Sequence, residues 1–138
     1  MTLCDTGPLI ALVDTDDVNH ARCLAALPTL PGPLVTTWPC LTEAMHFMGK
    51  AGGWPAQEAL WRFVTRGALQ LHETRWQETL RIQDLMARYF DTPMDLADAA
   101  LVAAAETLNL RRVFTLDSHF YAYRIGDGRT AETFEIVP

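Results

Sequence analysis

Lysine is nearly absent from this chain, and long apolar runs are missing altogether. Lys50 is the only lysine among 11 basic residues, which stand against 17 acidic residues and give a net charge of −6. This balance excludes a protein whose entire surface binds nucleic acid. No uncharged apolar run approaches the roughly 18 residues of a membrane-spanning helix, so we expect no membrane segment.

Cysteine is also scarce. Cys4, Cys23 and Cys40 are odd in number, and their spacing fits neither a zinc site nor a disulfide framework. We expect buried thiols, as in a reducing compartment. No basic segment precedes the short apolar stretch at residues 3–13, so we expect no signal peptide and a cytoplasmic protein.

The remaining composition is that of a folded domain. Hydrophobic residues make up 49% of the chain and charged residues 20%, which is enough apolar material for a core and too little charge for disorder. A length of 138 residues suits one domain, so we expect residues 1–138 to form a single unit.

Predicted strands and helices alternate along the chain. Short apolar runs with turn residues after them predict five strands, at 2–4, 34–37, 69–71, 113–116 and 134–137. The segments between them have helical spacing. Gly49, Gly52 and Gly53 should end one helix and Pro55 should begin another, while the alanine-rich helix at 96–108 should be buried. This order predicts an α/β fold of three layers, α/β/α, around a central parallel sheet of about five strands.

Four acidic residues fall where such a sheet places its ligands, beyond the carboxyl ends of the strands. Asp5 ends the first strand, Asp117 ends the fourth, and Glu43 lies about one helical turn after the second. Asp98 lies in the first turns of the buried helix, without a basic residue within four positions on that helix. A buried carboxylate without a partner is costly, so a cation or a distant arginine must satisfy Asp98.

Converging carboxylates predict a site for a hard cation. Mg²⁺ and Mn²⁺ prefer oxygen ligands, and such ions promote phosphodiester hydrolysis by activating water and offsetting charge on the leaving oxygen. Taken singly, each acid also has a structural interpretation. Asp5 can form a turn, Glu43 can be a solvated helix residue, and Asp117 can cap a short helix.

Three further residues have two open interpretations. Thr92-Pro93-Met94-Asp95 matches a capping pattern in which Asp95 bonds back to the amide of Thr92, yet Asp95 also shares a helix face with Asp98 and can be a ligand or support one. Thr6 and Thr115 can orient neighbouring acids through their hydroxyls, or they can be ordinary buried threonines.

The acidic segments together resemble the PIN-domain ribonuclease family, and in particular the VapC-like toxins of type II toxin–antitoxin pairs. The resemblance covers the chain from Met1 to about Phe120 and rests on four ordered motifs, Leu3–Leu9, Thr42–Glu43, Asp95–Ala103 and Thr115–Phe120. Gly7-Pro8 departs from it, because many relatives have a small polar residue there. The departure should alter the local turn and not the chemistry.

The resemblance implies a Mg²⁺-dependent endoribonuclease, often a homodimer held by an antitoxin protein, with RNA as substrate. It carries over four residues as catalytic and metal-binding acids: Asp5, Glu43, Asp98 and Asp117. PIN domains also act in RNA processing outside toxin systems, and an inactive PIN-like binding module is a further alternative.

Two other enzyme classes with clustered acids are excluded by single residues. A haloacid-dehalogenase-type phosphatase needs an acid two positions after Asp5, where this chain has Gly7. A response-regulator receiver needs a lysine late in the chain, and Lys50 is the only one.

Histidines and tryptophans give no site signal. The histidines share no ligand spacing, so each is expected at the surface or in packing, although His46 lies three residues after Glu43 and can face the site. The four tryptophans are expected in the core or at a dimer interface. Base stacking by Trp38 or Trp54 has no support in the sequence.

Overall fold

A computed structural model describes residues 1–138, and its centre is a parallel sheet. Its five strands are β1 Thr2–Cys4, β2 Leu34–Thr37, β3 Leu69–His72, β4 Arg112–Phe114 and β7 Glu135–Val137. They lie in the order β3-β2-β1-β4-β7, and every neighbouring pair is parallel. The predicted α/β fold with a five-stranded parallel sheet is therefore confirmed.

Helices cover both faces of the sheet, as the nearly continuous burial of β1 and β2 requires. They are α1 Thr6–Val13, α2 His20–Ala26, α3 Trp38–Thr65, α4 Trp76–Arg88 and α5 Leu96–Leu108. One core cluster lies around α5 and includes Leu101, Phe120 and Tyr123, and the other lies between α1 and α3. The residues of α5 from Ala97 to Ala105 are all buried, as its apolar sequence predicts. No helix has the length and apolarity needed to cross a membrane.

The glycine-rich segment divides α3 into two halves. Gly53 has a φ of 66°, a left-handed conformation that favours glycine, and Pro55 follows at the start of the second half. The predicted break is confirmed at Gly53, whereas Gly49 and Gly52 stay within the helix. The first half contains Glu43, and the second half contributes Leu60 to the core.

Several details of the fold differ from prediction. The fourth strand ends at Phe114, two residues early. At the next residue, the Thr115 hydroxyl donates to the Asp5 carboxylate and accepts from the backbone amide of Asp117. A small hairpin of β5 Arg124–Ile125 and β6 Glu132–Thr133 was not predicted, since two-residue strands leave no periodicity. Trp38, Trp54 and Trp76 are exposed, so of their two expected placements the core is ruled out and the dimer interface stays a prediction.

An ion-pair network joins α4 and α5 to the turn after β5. Arg81 donates to both carboxylate oxygens of Glu106, at 2.9 and 2.8 Å, and to Asp127 at 3.0 Å. Arg88 also pairs with Asp127, and the amide of Gly126 donates to Glu106. The turn at Gly126 and Asp127 is thereby held against α4 and α5.

Replacing Arg81 with alanine is expected to destabilise the protein by about 2 kcal/mol, because Glu106 is left half-buried without its main partner. Urea unfolding of the two proteins measures this difference. Arg62→Ala is the matched control, since Arg62 pairs with Glu58 in an exposed i,i+4 pair at 3.2 Å and its loss should cost less than about 0.5 kcal/mol. If both variants lose the same free energy of unfolding, the Arg81 network does not stabilise the fold as expected.

Candidate active site

Asp5 follows β1 directly and caps α1. Its Oδ1 accepts a hydrogen bond from the amide of Thr6 at 2.8 Å, and its Oδ2 accepts one from the Thr115 hydroxyl at 2.7 Å. Only 7% of Asp5 is exposed. Two donors from different strand ends therefore fix the carboxylate in one orientation.

Thr115 joins two of the predicted site acids. While its hydroxyl donates to Asp5, its oxygen accepts a hydrogen bond from the amide of Asp117 at 3.0 Å. The proposed orienting contact of Thr115 is present. The hydroxyl of Thr6 instead donates to the carbonyl of Cys40 at 3.3 Å, so it contacts no acid and ties α1 to α3.

Asp95 is the N-cap of α5, but not in the predicted manner. Its side chain accepts a hydrogen bond from the amide of Asp98 at 2.8 Å, while the amide of Thr92 donates to the carbonyl of Tyr89. The predicted bond from Asp95 to Thr92 is wrong, because the helix begins at Leu96 and not at Pro93. The cap places Asp95 and Asp98 side by side at the positive end of the helix dipole.

Asp98 has a partner that the sequence did not indicate. The hydroxyl of Tyr123, a fully buried residue, donates to Oδ2 of Asp98 at 2.9 Å. Asp98 is itself 6% exposed. Tyr123 was not predicted because it lies 25 residues away and its own segment shows only aromatic composition.

A polar cleft of about 430 Å³ collects the predicted acids. It is lined by Asp5, Thr6, Gly7, Glu43, Asp95, Asp98, Leu116 and Asp117. The ends of β1 and β4, the first half of α3 and the N-terminus of α5 each contribute at least one carboxylate. Of the acids and threonines singled out in the sequence, only Thr115 lies outside the lining, and it acts through Asp5 and Asp117.

Burial and mutual repulsion raise the proton affinity of these acids. Burial raises the pKa of Asp98 to about 7, and the negative charges of Asp95 and Asp5 add to the increase. Burial also raises the pKa of Asp5, against the hydrogen bonds from Thr115 and Thr6. The pKa of Glu43 is raised by burial first, and then by Asp95 and Asp5. The cleft therefore concentrates negative charge that a cation would offset.

His119 lies closer to the acids than the sequence indicated. Its Nδ1 is 3.0 Å from Oδ1 of Asp117, and one ligand atom each from Asp98, Asp117 and His119 lie within 4.8 Å of one another. The sequence analysis did not assign His119 to the site, and the Asp-x-His spacing after the fourth strand is the signal that could have identified it. His46 is not among the residues that line the cleft.

The buried cysteine nearest to the site is not suited to bind metal or attack a substrate. Sγ of Cys40 lies 3.8 Å from Oδ1 of Asp5. Burial raises the pKa of Cys40 to about 12, so the thiol stays neutral. All three cysteines are free and buried, as expected.

Comparison with known proteins gives several consistent matches. Ribonuclease VapC26 of Mycobacterium tuberculosis is 29% identical over 138 residues, covering 99% of each chain. The crystal structure of VapC20 from the same species, described as a sarcin–ricin loop cleaving toxin, superimposes with a TM-score of 0.81 at 16% identity, covering 88% of this chain and 94% of that one.

Two solved complexes have the same fold. VapBC2 of Rickettsia felis, bound to a promoter DNA fragment, matches with a TM-score of 0.67 at 12% identity over 98% of this chain and 97% of the other. A toxin–antitoxin complex from Klebsiella pneumoniae matches with a TM-score of 0.65 at 21% identity over 86% and 88%. The family model described as the PIN domain matches residues 2–126, which include every acid of the cleft. The chain therefore belongs to the PIN-domain family.

Proposed function

We propose that this protein is a metal-dependent endoribonuclease and the toxin of a toxin–antitoxin pair. The observation that carries the proposal is the convergence of Asp5, Glu43, Asp98 and Asp117 in one polar cleft. The name of the relative from Mycobacterium tuberculosis, a ribonuclease, supports RNA as the substrate.

The residues of the cleft fit a hard divalent cation. Carboxylate oxygens are the ligands that Mg²⁺ and Mn²⁺ prefer. The pKa of Asp98 is raised first by burial and then by the negative charges of Asp95 and Asp5, and a bound cation would offset both. We assign Asp5, Glu43, Asp98 and Asp117 as the residues that hold the metal and carry catalysis. When bound, the metal supplies an activated water and stabilises charge on the leaving oxygen.

The surrounding residues keep these acids in place. Thr115 holds Asp5 and the backbone of Asp117 in one arrangement, so two acids from neighbouring strand ends keep a fixed separation. The cap on α5 does the same for Asp95 and Asp98. We propose that Asp95 acts mainly as this cap and only secondarily on the metal. Such preorganised ligands bind a cation without the cost of ordering them first.

The proposed partners are an antitoxin protein and a second copy of the chain. Solved relatives described as toxin–antitoxin complexes support the antitoxin. We propose the homodimer from the resemblance to PIN-domain toxins, and exposed Trp54, Trp76 and Phe90 are candidate residues for its interface. The three free cysteines support a reducing compartment, and we propose the cytoplasm.

Purified protein is expected to cleave single-stranded RNA in millimolar Mg²⁺ or Mn²⁺ and to lose that activity in EDTA. The physical reason is that the cleft has no basic residue to neutralise the phosphate and the leaving oxygen. Gel analysis of a labelled RNA with and without EDTA, followed by restored metal, measures the dependence. Activity that persists in EDTA would refute the metal mechanism. If no RNA is cleaved in either metal, the proposed nuclease function is refuted.

A further inference from the structure

Tyr123 is a buried residue that contacts the site acid Asp98 without lining the cleft. Its hydroxyl donates to Oδ2 of Asp98 at 2.9 Å, and the residue is fully buried. It is absent from the lining of the cleft, whereas Asp98 is part of that lining. Tyr123 therefore contacts Asp98 from the protein interior and not from the cleft.

The remaining oxygen of Asp98 is left for the cleft. Oδ1 of Asp98 has no hydrogen-bond partner within the protein. Every buried side-chain oxygen of the protein has such a partner, so Oδ1 is not buried and is open to solvent. A carboxylate on a helix otherwise rotates about its side-chain bonds among several positions. The bond from Tyr123 selects one position, in which Oδ2 is held and Oδ1 stays open to solvent.

The aromatic ring of Tyr123 is itself held firmly. It makes edge-to-face contacts with Tyr89 and Phe120, each at a centroid distance of 5.2 Å. The hydroxyl of Tyr89 accepts a hydrogen bond from the amide of Arg124, which fixes the next residue of the chain. Because the ring is held in place, its hydroxyl keeps the carboxylate of Asp98 in one orientation.

We propose that Tyr123 is a positioning residue that aligns Asp98 as a metal ligand through a hydrogen bond to its Oδ2. This inference rests on the proposed metal-dependent function and adds to it a residue outside the four acids. Hydrogen-bond partners of metal ligands typically alter metal affinity by about 10- to 100-fold when they are removed.

The test is the Mn²⁺ affinity of Tyr123→Phe, measured by calorimetry in the absence of RNA. The variant removes only the hydroxyl and keeps both ring contacts. We expect its dissociation constant for Mn²⁺ to rise by about 10-fold or more. RNA cleavage at limiting Mn²⁺ should fall in parallel, and saturating Mn²⁺ should restore part of it.

Tyr89→Phe is the matched control. It also removes one tyrosine hydroxyl from the same aromatic stack, but that hydroxyl contacts the backbone of Arg124 and not an acid. Its Mn²⁺ affinity should remain within about 2-fold of the wild-type value. A second comparison uses Asp98→Asn, in which adding Tyr123→Phe should change the residual Mn²⁺ affinity no further, because the two residues act through one contact.

The outcomes separate this inference from the proposed function. Wild-type affinity in a folded Tyr123→Phe, or an equal loss in Tyr89→Phe, overturns the positioning role alone. Loss of the folded state in Tyr123→Phe, seen by near-ultraviolet circular dichroism, also overturns it, because the bond would then serve the fold. If the wild-type protein binds no Mn²⁺, both the metal-dependent function and the role of Tyr123 are refuted.

Discussion

Replacing Asp98 with asparagine is expected to lower RNA cleavage by at least about 1,000-fold while the protein stays folded. The expected loss corresponds to roughly 4 kcal/mol of transition-state stabilisation, on the scale that metal ligation supplies. The fold should survive because asparagine keeps the size of the side chain and still accepts the hydrogen bond from Tyr123. Cleavage rates in saturating Mn²⁺, together with thermal melting, measure both properties.

Asp95 provides the matched comparison for Asp98. Asp95→Asn should keep the cap on α5, because asparagine caps as well as aspartate, and it should reduce activity less than Asp98→Asn does. Asp95→Ala should in addition lose about 1 kcal/mol of stability. If Asp95→Asn is as inactive as Asp98→Asn and equally stable, then Asp95 is a metal ligand and the ranking of the two acids is wrong.

The metal-free protein is expected to become less stable as the pH rises from about 4 to about 7. The pKa of Asp98 is about 7 in the folded protein and 3.8 as an ordinary aspartate. Between these values the folded state holds a proton that the unfolded chain has released, so raising the pH favours unfolding. The loss from Asp98 is roughly 2–4 kcal/mol and levels off above its folded pKa. The raised pKa values of Asp5 and Glu43 act in the same direction.

Added metal should reverse this loss, because it binds the native state only. Mn²⁺ at 100 times its dissociation constant stabilises a protein by about 2.7 kcal/mol. Asp117→Asn should leave the metal-free protein equally or more stable at pH 8 and should reduce the thermal shift caused by Mn²⁺. Melting curves at pH 5 and pH 8, with and without Mn²⁺, measure both effects. No Mn²⁺-induced shift in the wild type, combined with destabilisation by Asp117→Asn, would make Asp117 a structural cap.

The sequence predicted the parts of the site that depend on strand ends. Asp5 and Asp117 follow parallel neighbours in the sheet, and such ends meet at one edge whatever the details of packing. Asp98 was predicted for a different reason, namely a carboxylate without a partner on an apolar helix. Their meeting in one cleft agrees with this argument. Their roles in metal binding and catalysis remain predictions.

The contacts missed in the sequence depend on tertiary packing. Tyr123 reaches Asp98 across 25 positions, and only the fold determines which buried hydroxyl meets which carboxylate. The cap on α5 was assigned to Thr92 because two capping residues, Thr92 and Asp95, lie three positions apart. Local spacing does not decide between them. Packing of Met94 into the core favours the later start, at Leu96.

The hydrogen bond between Thr115 and Asp5 spans 110 positions of the chain, and β1 and β4, which bring them together, are neighbours at the centre of the sheet. During synthesis β1 leaves the ribosome early and has no β4 to pair with until nearly the whole chain has been made. A nascent chain therefore has no assembled cleft. In this arrangement the order of translation delays the proposed nuclease until synthesis of the chain is nearly complete.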